Sequence, residues 1–142
     1  MTALKQIPTA QLIPYANNSR THSQEQIKQV AASIKEFGFL NPVITDGHNG
    51  IVAGHCRVMA AELLGLEEIP CLEASHLSEA QKKAYVIADN KLAENAGWDD
   101  EALRIEFEAL KELDFDLELT GFELGEIDAL TPTVVDGQTD ED

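Results

Sequence analysis

The chain has 142 residues, 44% of them apolar, and a formal net charge of −16 at pH 7. This length suits one domain with a real core, and no apolar run approaches the roughly 18 residues of a membrane-spanning helix. We therefore expect a soluble, cytoplasmic protein without a membrane partner. Cys56 and Cys71 are its only cysteines and have no CxxC spacing, so neither a disulfide framework nor a zinc ribbon is predicted.

The charge is distributed unevenly along the chain. Residues 1–61 carry five bases and three acids, whereas the residues from 62 onward carry five bases and 23 acids. A duplex-binding surface needs clustered Lys and Arg, so the acidic half argues against one. We expect any anion, DNA included, to bind the N-terminal half, and the acidic end to repel nucleic acid or to bind a basic partner.

The first half of the chain alternates strand and helix signals. The segment "LKQIPTAQLIPY" contains two prolines and predicts an irregular or edge strand. Ser23 and Gln26 predict a capping box, and apolar residues at helical spacing follow as far as Gly38. The runs "PVIT" and "GIVA" flank the turn sequence "DGHNG", which predicts a hairpin or two neighbouring strands.

The second half adds a helix, a strand and further helices. A helix is predicted over "HCRVMAAELLG", a strand over "EEIPCLEA", and a second capping box at Ser78 and Gln81 begins a third helix. Asp99 and Asp100 are predicted to cap a fourth helix, and a short final helix covers "ELGEIDAL". The fourth helix carries an apolar stripe of Leu103, Phe107, Leu110 and Leu113.

The order of these elements predicts an α+β fold with a C-terminal helical extension. The predicted divisions are a compact domain over residues 1–98, an acidic helical extension over 99–130, and a disordered acidic tail or linker over 131–142. Trp98 is predicted to pin the extension to the domain.

The stretch "IVAGHCRVMAA" from Ile51 to Ala61 carries the most chemical information. A strand that passes through a glycine into a helix presents free N–H groups and the positive end of the helix dipole, which attract phosphate or carboxylate. Gly54 would let an anion approach the backbone, and Arg57 could bind it with a planar guanidinium. The pattern alone also allows a simple corner, with Arg57 pointing into solvent.

Two other places have polar residues that no structural need explains. Arg20 lies in a polar loop before the first helix. Asp89 and Asn90 lie in the middle of the third helix, where short polar side chains compete with the backbone. These residues suggest a functional role in a binding site, although Asp89 and Asn90 would also be explained by a solvated helix face.

The four histidines do not predict a metal site. None of them has the i, i+4 spacing of a helical zinc site, so His22, His48, His55 and His76 are interpreted as scattered polar side chains. A metal-dependent nuclease would need convergent carboxylates, for which Asp89 is the first candidate and Glu36 the second.

The motifs "NNSRTHS", "GIVAGHCRVMAA" and "VIADNKLAEN" resemble, in this order, those of the ParB/sulfiredoxin-like domain, often called the ParB-like nuclease domain. The resemblance covers residues 5–98 and implies a compact α+β fold with a small mixed sheet. It implies phosphate binding by Arg20, by the G-x-x-R motif from Gly54 to Arg57, which includes His55 and Cys56, and by Asp89 with Asn90. Asp89 is then also a magnesium ligand.

The family's ligands give the expected cofactor, a nucleoside triphosphate with magnesium. Partitioning members bind CTP, sulfiredoxin uses ATP, and some relatives phosphorylate free serine. Partitioning proteins usually have an acid after the motif glycine that helps in hydrolysis; His55 stands there, so hydrolysis is not expected. Sulfiredoxin has its reactive cysteine at that position; Cys56 lies one residue later and is interpreted as a small core residue.

A narrower resemblance covers the acidic end. The segments "ADNKLAENAGWDDEAL", "LTGFELGEIDAL" and "GQTDED" are similar to the N-terminal part of phage and prophage DNA-modification methyltransferases. The chain has no DPPY motif and no glycine-rich SAM loop, so no methyltransferase activity of its own is expected. The helix-turn-helix domain of partitioning proteins is expected to be missing, because the region after residue 98 is acidic.

Three functions follow from these observations. The first is a nucleotide- or phosphate-binding accessory module of a phage-type DNA-modification system, whose partner is a methyltransferase catalytic domain or another phage protein. The second is a stand-alone kinase, NTPase or nuclease that uses the same pocket. The third is an acidic protein-interaction module with a vestigial pocket. Whether the chain is an enzyme stays open.

Overall fold

The computed structural model describes residues 2–16 and 21–130. Short 3-10 helices occupy Thr9–Gln11 and Leu117–Thr120. Within these described ranges, no helix is long and apolar enough to cross a membrane. The strands and helices follow in the order β1 Thr2–Pro8, α1 Gln24–Phe37, β2 Val43–Thr45, β3 Ile51–Ala53, α2 His55–Leu64, β4 Glu68–Ala74, α3 Glu79–Glu94, α4 Asp100–Glu112 and α5 Leu124–Leu130.

The four strands form one mixed sheet in the order β1-β4-β2-β3. The outer pairs β1–β4 and β2–β3 are antiparallel, and the central pair β2–β4 is parallel. The predicted α+β class, the mixed sheet and the hairpin are therefore confirmed. The first segment forms a regular edge strand up to Pro8, after which Ile13 makes a parallel bridge to Gly50.

Helix α2 lies between the sheet and α1 and is buried on both sides. Val58 and Ala61 belong to the core cluster built on the sheet. Cys56 and Ala60 belong to a second cluster with Ile27 and Ala31 of α1. A helix that is apolar nearly all round is the kind that a core encloses, and this burial holds the first turn of α2 in place.

The β2–β3 loop is locked by Asp46. Its carboxylate accepts hydrogen bonds from the backbone N–H groups of His48, at 2.8 Å, and Gly50, at 3.0 Å, and lies 3.2 Å from Nζ of Lys82 on α3. Burial acts to raise the pKa of Asp46, but these hydrogen bonds and the lysine charge outweigh it and lower the pKa. The loop thereby ties the end of β2 to α3.

The helix ends match most of the predicted caps. Ser78 and Gln81 form the complete capping box of α3, in which each side chain binds the other residue's backbone. At α1 the structure shows half of the predicted box: Ser23 accepts from the N–H of Gln26. The side-chain oxygen of Gln26 instead lies 3.2 Å from Nδ1 of His22.

The chain divides into two compact units, residues 1–96 and 97–142. In the second unit, Phe107 and Ile127 are almost fully buried, at 1% and 2% exposed. The rings of Trp98 and Phe107 pack edge-on against Phe122, at centroid distances of 5.1 and 5.3 Å. Trp98 therefore contacts Phe122 of its own unit and is otherwise largely exposed; its role in pinning the extension to the domain stays a prediction.

The apolar stripe of α4 is shorter than predicted. Leu103 and Leu110 are partly buried and Phe107 is buried, but Leu113 is 76% exposed. The helix ends at Glu112, and Leu113 is its C-cap. The periodicity ends with the helix, which is why the fourth position of the stripe was wrong. The predicted tail, residues 131–142, lies outside the described residues.

Candidate anion-binding site

The site begins where β3 passes through Gly54 into α2. Gly54 is the N-cap of α2 with φ 105° and ψ 24°, a left-handed conformation that side chains with a Cβ disfavour. A Cβ built on Gly54 would lie 2.8 Å from Nη2 of Arg57 and 3.1 Å from its Cζ. The guanidinium of Arg57 thus folds back over the bare α-carbon of Gly54, an arrangement that glycine permits.

Arg57 does not extend into solvent. Its Nη2 donates a 2.9 Å hydrogen bond to the carbonyl of Pro42, in the loop before β2. Its Nε is buried and has no hydrogen-bond partner among the described residues. Burial lowers the pKa of Arg57, while the nearby Asp89 acts to raise it. An arginine keeps its charge at neutral pH even so, so a cation lies at the N-terminus of α2.

A cavity of about 110 Å³ opens beside this arginine. Three parts of the chain supply its polar wall: the segment before α1, the first turn of α2 and the middle of α3. The structure places six of the predicted site residues together there. The lining residues are His22, Val52, Ala53, Gly54, His55, Cys56, Arg57, Asp89 and Asn90.

Two residues need a separate account. Arg20 lies outside the described residues, so its predicted phosphate contact stays a prediction. His22, which was interpreted as a scattered polar side chain and was not among the predicted site residues, also lines the cavity. Its position directly before the N-cap Ser23 was the available signal, since that cap places the preceding residues at the start of α1.

The ring of His55 is held by the segment before α1. Its Nε2 lies 3.1 Å from the backbone N of Tyr15 and accepts a hydrogen bond from it. Burial lowers the pKa of His55, and the neighbouring His22 lowers it further. His55 is therefore a neutral imidazole at neutral pH.

The two cysteines are poor nucleophiles in this structure. Burial raises the pKa of the Cys56 thiol, although the charge of Arg57 opposes the shift. Burial raises the pKa of Cys71 to about 11. Because the thiolate is the reactive species, both side chains behave as small core residues; Cys56 packs in the cluster between α1 and α2.

The two polar residues of α3 both line the cavity, but they differ in the hydrogen bonds that they make. Asp89 accepts a long, 3.4 Å hydrogen bond from the hydroxyl of Tyr85. Asn90 uses its amide nitrogen on the carbonyl of Val86 at 2.9 Å, which leaves its oxygen for a ligand. Among the described His, Cys, Asp and Glu residues, no group of three or more could hold a metal ion.

A larger and more apolar groove of about 340 Å³ also has Arg57 in its wall. Its walls come from the C-terminal half of α1 and the loop that leads to β2, with Val30, Ile34, Phe39, Leu40 and Asn41 among the lining residues. Arg57 borders both the polar cavity and this groove.

The fold is an α+β domain with a small mixed sheet, in which a glycine-capped helix N-terminus, a type of place where anions can bind, lies beside an arginine. The chain belongs to the ParB N-terminal domain family, whose model matches residues 1–91. A second model, the ParB-methyltransferase HTH domain, matches residues 101–142. The expectation that no helix-turn-helix domain follows residue 98 was therefore wrong. Acidic composition sets surface charge and does not decide how helices are arranged.

The relatives support this membership. The ParB-like nuclease domain-containing protein YnaK of Escherichia coli is 50% identical over 76 residues, which is 54% of this chain and 87% of that protein. The probable chromosome 2-partitioning protein ParB of Deinococcus radiodurans is 32% identical over 109 residues, 75% of this chain. The match spans only 33% of that partitioning protein.

One solved structure shares most of the fold. It is the C-terminally truncated chromosome-partitioning protein ParB from Caulobacter crescentus, complexed with CTP-gamma-S. The TM-score is 0.72 at 20% identity, over 90% of this chain and 76% of that one. At this identity the likeness concerns the fold.

Proposed function

We propose that this chain binds a nucleoside triphosphate at the cavity beside Gly54, as an accessory module of a DNA-modification system. The phosphates lie against the free N–H groups at the start of α2, and Arg57 neutralises them. The class of ligand is supported by family membership and by the Caulobacter ParB that is complexed with CTP-gamma-S.

The observation that carries the proposal is the buried Nε of Arg57, which has no partner among the described residues. A buried donor without an acceptor costs about 1–3 kcal/mol, and structures rarely keep such a group without a reason. Arg57 lines the cavity, so a rotation of its side chain would bring this N–H to a phosphate oxygen bound there. The same site has the positive end of the α2 dipole and no Cβ on Gly54.

Under this proposal, one nucleotide occupies both cavities. The polar cavity of about 110 Å³ is smaller than the roughly 300–1,000 Å³ of whole small-molecule sites. The neighbouring groove of about 340 Å³ has apolar walls that suit a flat base or sugar. Arg57 borders both, so a nucleotide with its phosphates in the cavity and its base in the groove fits their arrangement.

Asp89 is the residue that would bind the proposed magnesium ion. Magnesium in nucleotide sites is bound by one or two carboxylates together with phosphates and waters, so one aspartate is a sufficient protein contribution. The oxygen of Asn90 can bind the ion or accept from a ribose hydroxyl. For Arg20, whose placement lies outside the described residues, a phosphate contact rests on the sequence resemblance.

The accessory role rests on the second family match. A ParB N-terminal domain followed by the ParB-methyltransferase HTH domain suits a protein that works with a DNA methyltransferase of phage or prophage origin in the cytoplasm. The partners under this proposal are the methyltransferase catalytic domain, and DNA through the N-terminal half. The 44 residues from 99 onward have 16 acids against two bases, which disfavours DNA contact by that part of the chain.

The test is ligand-dependent stabilisation with magnesium and each of CTP, ATP and GTP. A ligand at about 100 times its Kd adds roughly 2.7 kcal/mol to the stability of a protein that binds it only when folded. We expect one nucleotide to raise the Tm, the effect to be lost in Arg57→Ala, and the effect to persist in the control Arg104→Ala. Arg104 lies in the second unit and pairs with Glu101 and Glu108.

An equal Tm shift in wild type, Arg57→Ala and Arg104→Ala would refute the assigned site. The absence of any shift with every nucleotide would refute nucleotide binding itself.

A further inference from the structure

His55 makes a contact that reaches far along the chain. Its Nε2 accepts from the backbone N–H of Tyr15 at 3.1 Å, across 40 residues of sequence. Tyr15 lies in the segment between the first 3-10 helix and α1, and His55 is the first residue of α2. One imidazole therefore joins this segment to the helix end that borders the cavity.

The chemistry of the ring limits what else His55 can do. A neutral imidazole has one nitrogen with a lone pair and one N–H. A backbone N–H can only donate, so the lone pair is on Nε2 and the proton is on Nδ1. A general base needs a free lone pair within reach of the proton that it takes. The hydrogen bond to Tyr15 occupies the lone pair of His55.

Other contacts fix the chain two residues before Tyr15 and place the Tyr15 ring near α3. Ile13 donates its backbone N–H to the carbonyl of Asn49, and the carbonyl of Ile13 accepts from the N–H of Ile51, both at 2.8 Å. Nζ of Lys83 on α3 lies 6.0 Å from the centroid of the Tyr15 ring. The His55 bond completes this set by attaching the backbone of Tyr15 directly to the first turn of α2.

We infer that His55 is a positioning residue, whose ring lines the cavity and is fixed there by the hydrogen bond from Tyr15 to Nε2, and that it is not a proton acceptor in a reaction there. This inference rests on the proposed nucleotide site and assigns a role within it. The pocket then binds its nucleotide with Arg57 and the helix N–H groups, and the imidazole sets the geometry around them.

The experiment compares wild type with His55→Gln and His55→Leu. The side-chain oxygen of glutamine can accept from Tyr15 near the position of Nε2, whereas leucine has similar bulk and no acceptor. The first readout is the tautomer of His55 in the wild-type chain, from the ¹⁵N shifts of its ring. The second is hydrogen exchange of the Tyr15 amide in all three proteins, and the third is the Kd for CTP and for inorganic pyrophosphate.

We expect a proton on Nδ1 and a Tyr15 amide that exchanges at least about tenfold faster in His55→Leu and within about threefold of wild type in His55→Gln. A net hydrogen bond of about 0.5–1.5 kcal/mol corresponds to a roughly 2- to 13-fold weaker Kd in His55→Leu. His55→Gln should restore this affinity.

Three results would overturn the inference: a proton on Nε2, a Tyr15 amide that exchanges equally fast in all three proteins, or a His55→Gln variant that binds as weakly as His55→Leu. The wild-type tautomer decides the point even if His55→Leu does not fold. If no ligand binds any variant, the proposed function fails, while the tautomer and the amide exchange still decide the role of His55.

Discussion

The substitution Gly54→Ala should destabilise the first unit by roughly 2.5–5 kcal/mol. A residue with a Cβ in the left-handed conformation costs about 1–2 kcal/mol, and Gly54 has φ 105°. The new Cβ would also lie 2.8 Å from Nη2 of Arg57, so the guanidinium must move away from the Pro42 carbonyl. A hydrogen bond with a charged donor contributes about 1.5–3 kcal/mol.

Gly65→Ala is the matched control for this change. Gly65 caps the other end of α2 with φ 72° and ψ 28°, so alanine meets a similar backbone cost of about 1–2 kcal/mol. A Cβ at Gly65 meets no atom within 4 Å among those described. The difference between the two variants therefore isolates the displacement of Arg57.

The assay is native-state hydrogen exchange of the β4 amides, which reports the free energy of unfolding of the first unit. Nucleotide affinity is measured alongside. We expect Gly54→Ala to lose both stability and affinity and Gly65→Ala to lose stability alone. Equal destabilisation with unchanged affinity in both variants would refute the argument that the bare α-carbon of Gly54 makes room for the guanidinium.

Three further changes test other parts of the fold. Asp46→Asn should lower the free energy of unfolding in urea at pH 7 by about 1 kcal/mol, whereas Glu79→Gln, at an exposed side chain, should have no measurable cost. Because the pKa of Asp46 is lowered from 3.8, the cost of Asp46→Asn is complete above pH 3.8 and disappears as the pH falls through the folded-state pKa. A cost that does not depend on pH would contradict this argument. Cys56 should be alkylated by iodoacetamide far more slowly in the folded than in the urea-unfolded chain, because burial raises the pKa of its thiol, and equal rates by mass spectrometry would contradict this. Phe107→Ala should lower the free energy of unfolding of the second unit by about 3–5 kcal/mol, and Leu113→Ala should lower it by less than about 0.5 kcal/mol. Amide exchange in α4 measures both values. Similar losses of stability in the two variants would contradict the burial of Phe107.

Much of the secondary structure could be predicted because its signals are local. Ser78 and Gln81 lie three residues apart, so the capping box is a property of one helical turn. The glycines at 38 and 65 end α1 and α2 because the left-handed conformation favours glycine. The predicted apolar stripe on α4 was wrong at Leu113 because periodicity does not show where a helix ends.

The candidate site could be predicted only in its local part. Gly54 and Arg57 are three residues apart, so their proximity follows from the first turn of α2. His22 lies more than 30 residues from this turn in sequence, and the polar residues around it are typical of a surface loop. The orientation of Arg57 was also undecided, because its acceptor, the carbonyl of Pro42, belongs to another part of the chain.

The sequence by itself determined the helices and strands, their caps, the glycine corner with its arginine, and the resemblance to the ParB family. Only the tertiary structure decided that Arg57 folds over Gly54 onto the loop before β2, that His22 and Asp89 border the same cavity, and that His55 holds Tyr15. The physical reason is the range of the interactions. Caps and periodic patterns act within one or two turns, whereas these contacts form only after the sheet and α2 have packed and brought distant segments together.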